Sequence, residues 1–280
     1  MNESHASTGW ATDRGERWRD FATPMEAMMS AIDDPLLEVL KLDRPYRIAD
    51  IGCGGGGTSL EILRRAPAGS SVHGFDISPA LVDLARSRKP SPEAAISFEV
   101  QDVATAPPPA QPFERLVSRF GTMFYDDPPA AFTNLSRWLA PDGRFTFAVW
   151  AAAEDNPYFT LLIQAISQAV EIPEMDPDGP GPLRYQEVSK LVDLLNQSGF
   201  AQIETQTWRG PMLVGGGTNA AQAARFALTS TSLGDLLTEA GEEAKTLAYR
   251  SLEDSYRPFE RDGVVILEAC IHLVSGTRAD

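Results

Sequence analysis

The sequence predicts a parallel, doubly wound α/β sheet, and three observations carry that prediction. Short apolar strands alternate with amphipathic helices from about residue 45 to 150. A glycine-rich turn at 52–57 joins the first of these strands to the first helix. An acidic residue then closes each of the first three strands: Asp50, Asp76 and Asp102.

The elements follow in order. Residues 1–14 read as a loose start. Over 15–42, Trp18, Phe21, Met25, Met28, Leu36 and Leu40 recur at three-and-four spacing, a helical signal that Pro45 terminates. Strands are read at 47–51, 71–75, 96–100, 115–118 and 145–150, with helices at 58–65, 80–88 and 130–139. Ser78 and Pro79 supply the cap and first position of the second helix, and 140–143 (Ala-Pro-Asp-Gly) is a turn. After Trp150 the rhythm changes. Helices are expected at 158–170 and 186–197, the latter ended by Ser198-Gly199, and an alternating strand at 200–208. Residues 211–258 have helical composition with an open Gly215–Gly217 hinge, and 263–273 is a final apolar strand. The expected organisation is an N-terminal helical extension over 1–44 and a sheet domain over 45–280. A helical substrate cap is inserted in that domain at 211–258.

Composition excludes several classes. The 280 residues carry 43% hydrophobic and 22% charged side chains, ordinary for a globular protein with a sizeable core. A net charge of −15 repels polyanions, so nucleic acid and anionic membrane surfaces are not expected partners. Two cysteines, Cys53 and Cys270, make no disulfide framework, and the polar N-terminus lacks a signal peptide's apolar stretch. No window approaches the roughly 20 apolar residues of a spanning helix. A cytoplasmic protein with no metal site is the expectation; its oligomeric state is open.

The turn at 52–57 places glycines where a strand bends sharply into a helix, letting a ligand approach the backbone and the helix's free N–H groups. Gly52-x-Gly54-x-x-Gly57 also satisfies the dinucleotide pattern, so the turn alone does not choose a ligand. The carboxylates do. Asp50 stands where a dinucleotide site favours an apolar residue, and it can receive an amino group. Asp76 can hold both ribose hydroxyls, a feature shared with dinucleotide sites, so the choice falls to Asp50 and Asp102. Asp102 can accept from the exocyclic amine of adenine while the next backbone N–H, that of Val103, meets a ring nitrogen. A nucleoside bearing an amino acid, S-adenosylmethionine, satisfies all three.

In order and spacing, Asp50-x-Gly-Cys-Gly, Asp76-Ile-Ser, Gln101-Asp-Val, 116–121 (Leu-Val-Ser-Arg-Phe-Gly) and 139–145 (Leu-Ala-Pro-Asp-Gly-Arg-Phe) resemble the class I S-adenosylmethionine-dependent methyltransferases. The likeness is to their small-molecule branch, with quinone-biosynthesis and natural-product enzymes. It covers residues 15–160 well. It implies a Rossmann-like seven-stranded sheet whose last strand is antiparallel. It also implies cofactor contacts from Asp50, Gly52, Cys53, Gly54, Asp76, Ile77, Asp102 and Val103, with Ser118 beside the cofactor. Two departures are mild: Phe113-Glu114 stands for the usual Phe-Asp, and Ala49-Asp50 for Leu-Asp.

Transfer from a sulfonium needs mainly alignment and exclusion of water, so no catalytic signature is required. No general base stands out, and no catalytic residue is assigned. His5 lies in the loose start, and His73 and His272 read as structural. Asp126 and Asp127 precede Pro128-Pro129 as a helix cap, and Asp155-Asn156 as a helix start. Trp18, Phe21, Tyr125, Trp150 and Tyr158 are the candidate contacts for a small-molecule acceptor at oxygen, carbon or nitrogen. Two other functions share these residues: a NAD- or FAD-linked oxidoreductase, and a protein that binds S-adenosylmethionine without methylating.

Overall fold

The computed structural model describes residues 6–174 and 176–279. Four short helices open the chain: α1 (Ala6–Ala11), α2 (Asp13–Asp20), α3 (Ala22–Met29) and α4 (Asp33–Leu40), with a 3₁₀ turn over Ser30–Ile32 between the last two. The single helix expected over 15–42 is thus broken at Phe21 and again at Ser30. The loose start expected over 1–14 instead holds α1. Its first amides donate to the Asp126 carboxylate, Ala6 at 2.7 Å and Ser7 at 3.3 Å. A cap supplied from 120 residues away leaves no local sequence signal. His5 lies outside the described residues.

The sheet region runs β1 (Arg47–Ile51), α5 (Gly57–Arg65), β2 (Ser71–Asp76), α6 (Pro79–Ser87), β3 (Ile96–Val100), β4 (Phe113–Arg119), α7 (Pro128–Trp138) and β5 (Leu139–Trp150). Ser78 caps α6, its hydroxyl accepting from the Leu81 amide at 3.4 Å. Asp127 caps α7 through the Ala130 amide at 3.0 Å. The turn expected at 140–143 loops out of the ladder inside β5, whose partners on β4 jump from Phe113↔Leu139 to Arg115↔Arg144. Asp142 takes the left-handed conformation there, at φ 61°.

The remainder is α8 (Pro157–Ser167), α9 (Val188–Gln197), β6 (Phe200–Leu213), α10 (Ala220–Ser230), α11 (Leu233–Ala240), α12 (Glu242–Tyr256), β7 (Glu260–Arg261) and β8 (Val264–Arg278). Seven strands take the order β3-β2-β1-β4-β5-β8-β6, and the two-residue β7 pairs with β8 off this path. β1 to β5 are parallel, and β8 runs antiparallel between β5 and β6. The doubly wound sheet with an antiparallel last strand is therefore present. Helix in the 211–258 stretch starts only at Ala220, because 211–213 stay paired with β8 and 214–216 form a 3₁₀ turn. Strand order reverses at β1–β4, so a crevice opens at the carboxyl ends of these strands. Aromatic layers fix the sheet below it: Trp138 stacks on Phe113 and meets Phe75 edge-on, and Phe145 meets Phe200.

Candidate functional site

A cavity of ≈ 570 Å³ occupies that crevice, lined by the ends of β1 to β4, the N-terminal helices, α8 and the α10–α11 junction. The glycine turn forms its floor. Gly52 (φ 68°) and Gly54 (φ 54°) are left-handed, and the amides of Gly52 and Cys53 both donate to the Phe75 carbonyl, locking the turn to β2. Any side chain on Gly52 would put its Cβ 3.0 Å from the Gly121 backbone. Above the turn stands Trp18, whose indole nitrogen would be 3.8 Å from a Cβ on Gly54.

Three carboxylates border the cavity, as their placement at strand ends predicts. Asp50, 1% exposed, accepts from the Ser59 hydroxyl at 2.6 Å. Burial pushes its pKa up to about 7, against the pull of Ser59 and Arg119. Its protonated and ionised forms are therefore both populated around neutral pH, and a bound cation favours the ionised one. Asp76 accepts from the Gly54 and Ser78 amides, each at 2.9 Å, one on each oxygen. Burial raises its pKa and these amides oppose the rise. The Ile77 amide acts in the same direction, and since a carboxylate offers about four acceptor positions, capacity for a further donor stays open. Asp102 is half-buried and accepts from the Ala104 amide at 3.0 Å and the Thr105 hydroxyl at 2.8 Å. Cys53, Ile77 and Val103 also line the wall, and burial holds the Cys53 thiol well above its usual pKa.

Trp18, Tyr125, Trp150 and Tyr158 border the same cavity. Two of the sequence candidates do not. Phe21 packs edge-on against Phe226, its ring 5.9 Å away, and is a packing residue between α3 and α10. Ser118, fully buried, donates to the Ile51 carbonyl at 2.7 Å and accepts from the Gly121 amide at 3.2 Å. It ties the ends of β1 and β4 together behind the wall, and Phe120 and Gly121 face the cavity in its place. Ser118→Ala is expected to lower stability by about 1–3 kcal/mol, because it strands the Gly121 amide. An unchanged denaturation midpoint would contradict that role.

Other candidates are spent elsewhere. Asn156, 0% exposed, bridges β5 to β8 through the Cys270 carbonyl and amide, and Asp155 pairs with Arg209. His73 sits between the Ser71 and Ser97 hydroxyls with its pKa pushed down to about 4, chiefly by burial; His272 faces Thr207. Neither borders the cavity.

Several lining residues lie outside the candidates that the sequence suggests. Phe120 takes φ 67°, unusual for an aromatic, and lies stacked on Trp150 at 4.4 Å with the planes 2° apart. Arg119, beside it, pairs with Asp33 at 3.0 Å and donates to the Met29 carbonyl. Glu26 of α3 is held by Arg88 at 2.7 Å, and Arg88 also reaches the Gly55 carbonyl. Arg119 ends the fourth strand and Phe120 follows it, a place at the strand's carboxyl end that points to the cavity.

Residues 48–143 match the family profile described as a methyltransferase domain. Aklanonic acid methyltransferase DauC of Streptomyces sp. (strain C5) is 29% identical over 203 residues, covering 68% of this chain and 87% of that protein. Phosphoethanolamine N-methyltransferase 1 of Zea mays is 27% identical over 121 residues, 43% of this chain. The match spans only 24% of that longer protein. Among solved structures, magnesium protoporphyrin IX methyltransferase from Synechocystis, with bound SAH, superposes with a TM-score of 0.52 at 13% identity, covering 96% of this chain and 99% of that one. Residues 48–143 thus match a methyltransferase domain, and the chain shares its fold with a solved methyltransferase structure.

Proposed function

We propose that this chain transfers the methyl group of S-adenosylmethionine to a small-molecule acceptor in the same cavity, in natural-product or quinone-type biosynthesis. The observation that carries the reading is the half-buried Asp76 carboxylate on the cavity wall. It is fixed by backbone amides and keeps acceptor capacity for a ribose hydroxyl. Asp50 meets the amino group of the methionine part, Gly52, Cys53 and Gly54 pass beneath it, and Ile77 covers the adenosine. Asp102 and the Val103 amide read the adenine edge. Trp18, Tyr125, Trp150 and Tyr158 face the acceptor. The names of the relatives, one an aklanonic acid and one a phosphoethanolamine methyltransferase, support a small-molecule acceptor.

When bound, the donor supplies an electrophilic sulfonium methyl. The chain's own work is to hold both reactants in line and to keep water out with its aromatic wall of Trp10, Trp18 and Phe124.

The oxidoreductase alternative meets a specific obstacle. A pyrophosphate needs the N-terminus of α5. There the Glu26 carboxylate already lies against the glycines: a Cβ on Gly55 would stand 2.8 Å from its Oε1, and one on Gly57 2.9 Å from its Cδ. The Glu26 side chain, held there by Arg88, takes up the space beside the glycines that a pyrophosphate would need. Asp76→Ala is expected to weaken S-adenosylmethionine binding by about 1–3 kcal/mol in calorimetry, by stranding hydroxyls that a charge had held. Unchanged affinity would mean that the ribose is not held at β2.

A further inference from the structure

Building on the methyltransferase reading above, we propose that Arg119 selects the amino-acid end of the donor. The unspent edge of its guanidinium takes the α-carboxylate of the methionine part, while Asp50 takes the ammonium. Arg119 borders the cavity at the end of β4, yet its side chain is only 9% exposed. Its hydrogen bonds to the protein all leave from Nη1, to an Asp33 carboxylate oxygen at 3.0 Å and to the Met29 carbonyl at 3.2 Å. A guanidinium carries five N–H donors in a planar fork. Among the described residues, Nε and Nη2 meet no protein acceptor, so the edge they form is free for a ligand. Such an edge matches the two oxygens of a carboxylate. A donor this enclosed and left unpaired costs free energy that a ligand oxygen recovers.

The surroundings of Arg119 point to the methionine part rather than to the adenosine. Arg119 lies near enough to Asp50 to draw its pKa down against burial. Asp33, its partner, also accepts from Thr58 in the first turn of α5, which fixes the guanidinium beside the glycine-turn helix. Other anchors for an anion are spent or exposed. Among the described residues that border the cavity, the remaining cations are Arg14 and Arg17 of α2. Arg14 is exposed, and Arg17 pairs with Asp235 at 2.8 Å. The N-terminus of α5 could hold an anion, but Glu26 lies against its glycines. Asp50 and Arg119 thus offer opposite charges at one end of one cavity, as a zwitterion requires. A nucleoside with the amine but no carboxylate leaves the Arg119 edge unpaired, and that penalty sets the selectivity.

The test is calorimetric binding of two probes to the whole chain. One is S-adenosylhomocysteine, which carries the same amino-acid end, and the other is its decarboxylated counterpart, which keeps the amine. The unmodified protein should bind the first about a hundredfold more tightly. Arg119→Met combined with Asp33→Ala removes both members of the buried pair and should bring the two affinities within about threefold. Asp33→Asn, with Arg119 intact, should keep the full preference. Arg119→Lys keeps a charge beside Asp33 but lacks the fork, and should retain only about a tenfold preference. A residue that merely shaped the wall would weaken both probes alike and leave their ratio unmoved. Equal affinity for the two probes in the unmodified protein overturns the proposal, and so does a full preference that survives in the Arg119 variants. Failure of the unmodified protein to bind either S-adenosylmethionine or S-adenosylhomocysteine would instead defeat the methyltransferase reading, and this proposal with it.

Discussion

Asp50→Asn should weaken S-adenosylmethionine binding by about 3 kcal/mol, more than a hundredfold, while the protein still folds. Asparagine preserves the shape and can still accept from Ser59, so only the charge is lost. Asp50 is enclosed at the end of β1, and its pKa of about 7 reflects burial outweighing the pull of Ser59 and Arg119. Binding an ammonium there requires the ionised form. Below about pH 7 the cofactor must therefore expel a proton, and affinity should climb with pH and level off above that point. The stability of the free protein should move the other way. A carboxyl whose folded pKa is raised favours the fold at low pH, and that contribution is lost as pH rises from the unfolded value, about 4, towards about 7. The loss is on the order of 4 kcal/mol for a rise of this size. Asp50→Asn should flatten both profiles. Calorimetry in buffers of different ionisation enthalpy, and denaturation across the same pH range, read the two effects. An affinity independent of pH in the unmodified protein would remove Asp50 from the ammonium site.

Asp33→Ala should cost about 3–5 kcal/mol of stability, the penalty for leaving a buried charge without its partner. Asp33 and Arg119 have side chains only 11% and 9% exposed and lie 3.0 Å apart. Asp33 also accepts from Thr58 in the first turn of α5, at 3.2 Å. One carboxylate thus fastens the N-terminal helices to both the glycine-turn helix and the end of β4. Removing both charges, in Asp33→Ala with Arg119→Met, should recover most of the loss. Equal destabilisation of the single and double variants would show that packing, not charge, matters there.

The sheet was legible because its determinants are local. Strand runs, glycines at positive φ and carboxylates at strand ends are read within a dozen residues of each other. Those same features placed Asp50, Asp76 and Asp102 on one cavity. What escaped the sequence depends on distant partners. α1 exists because Asp126 caps it from 120 residues away, and Ser118 turns inward because the Ile51 carbonyl awaits it. Phe21 carries the same aromatic signal as Trp18, but three residues along a broken helix separate a packing ring from a cavity ring. Glu26 carries no local signal of its place: only tertiary packing, with Arg88 as its partner, seats it against the glycines.

The most direct test of the account is a paired calorimetric titration of the unmodified chain with S-adenosylmethionine and with NAD. The account predicts saturable binding of S-adenosylmethionine at one site, with proton release at about pH 6, and no measurable heat from NAD. Tight NAD binding, with S-adenosylmethionine giving none, would contradict it.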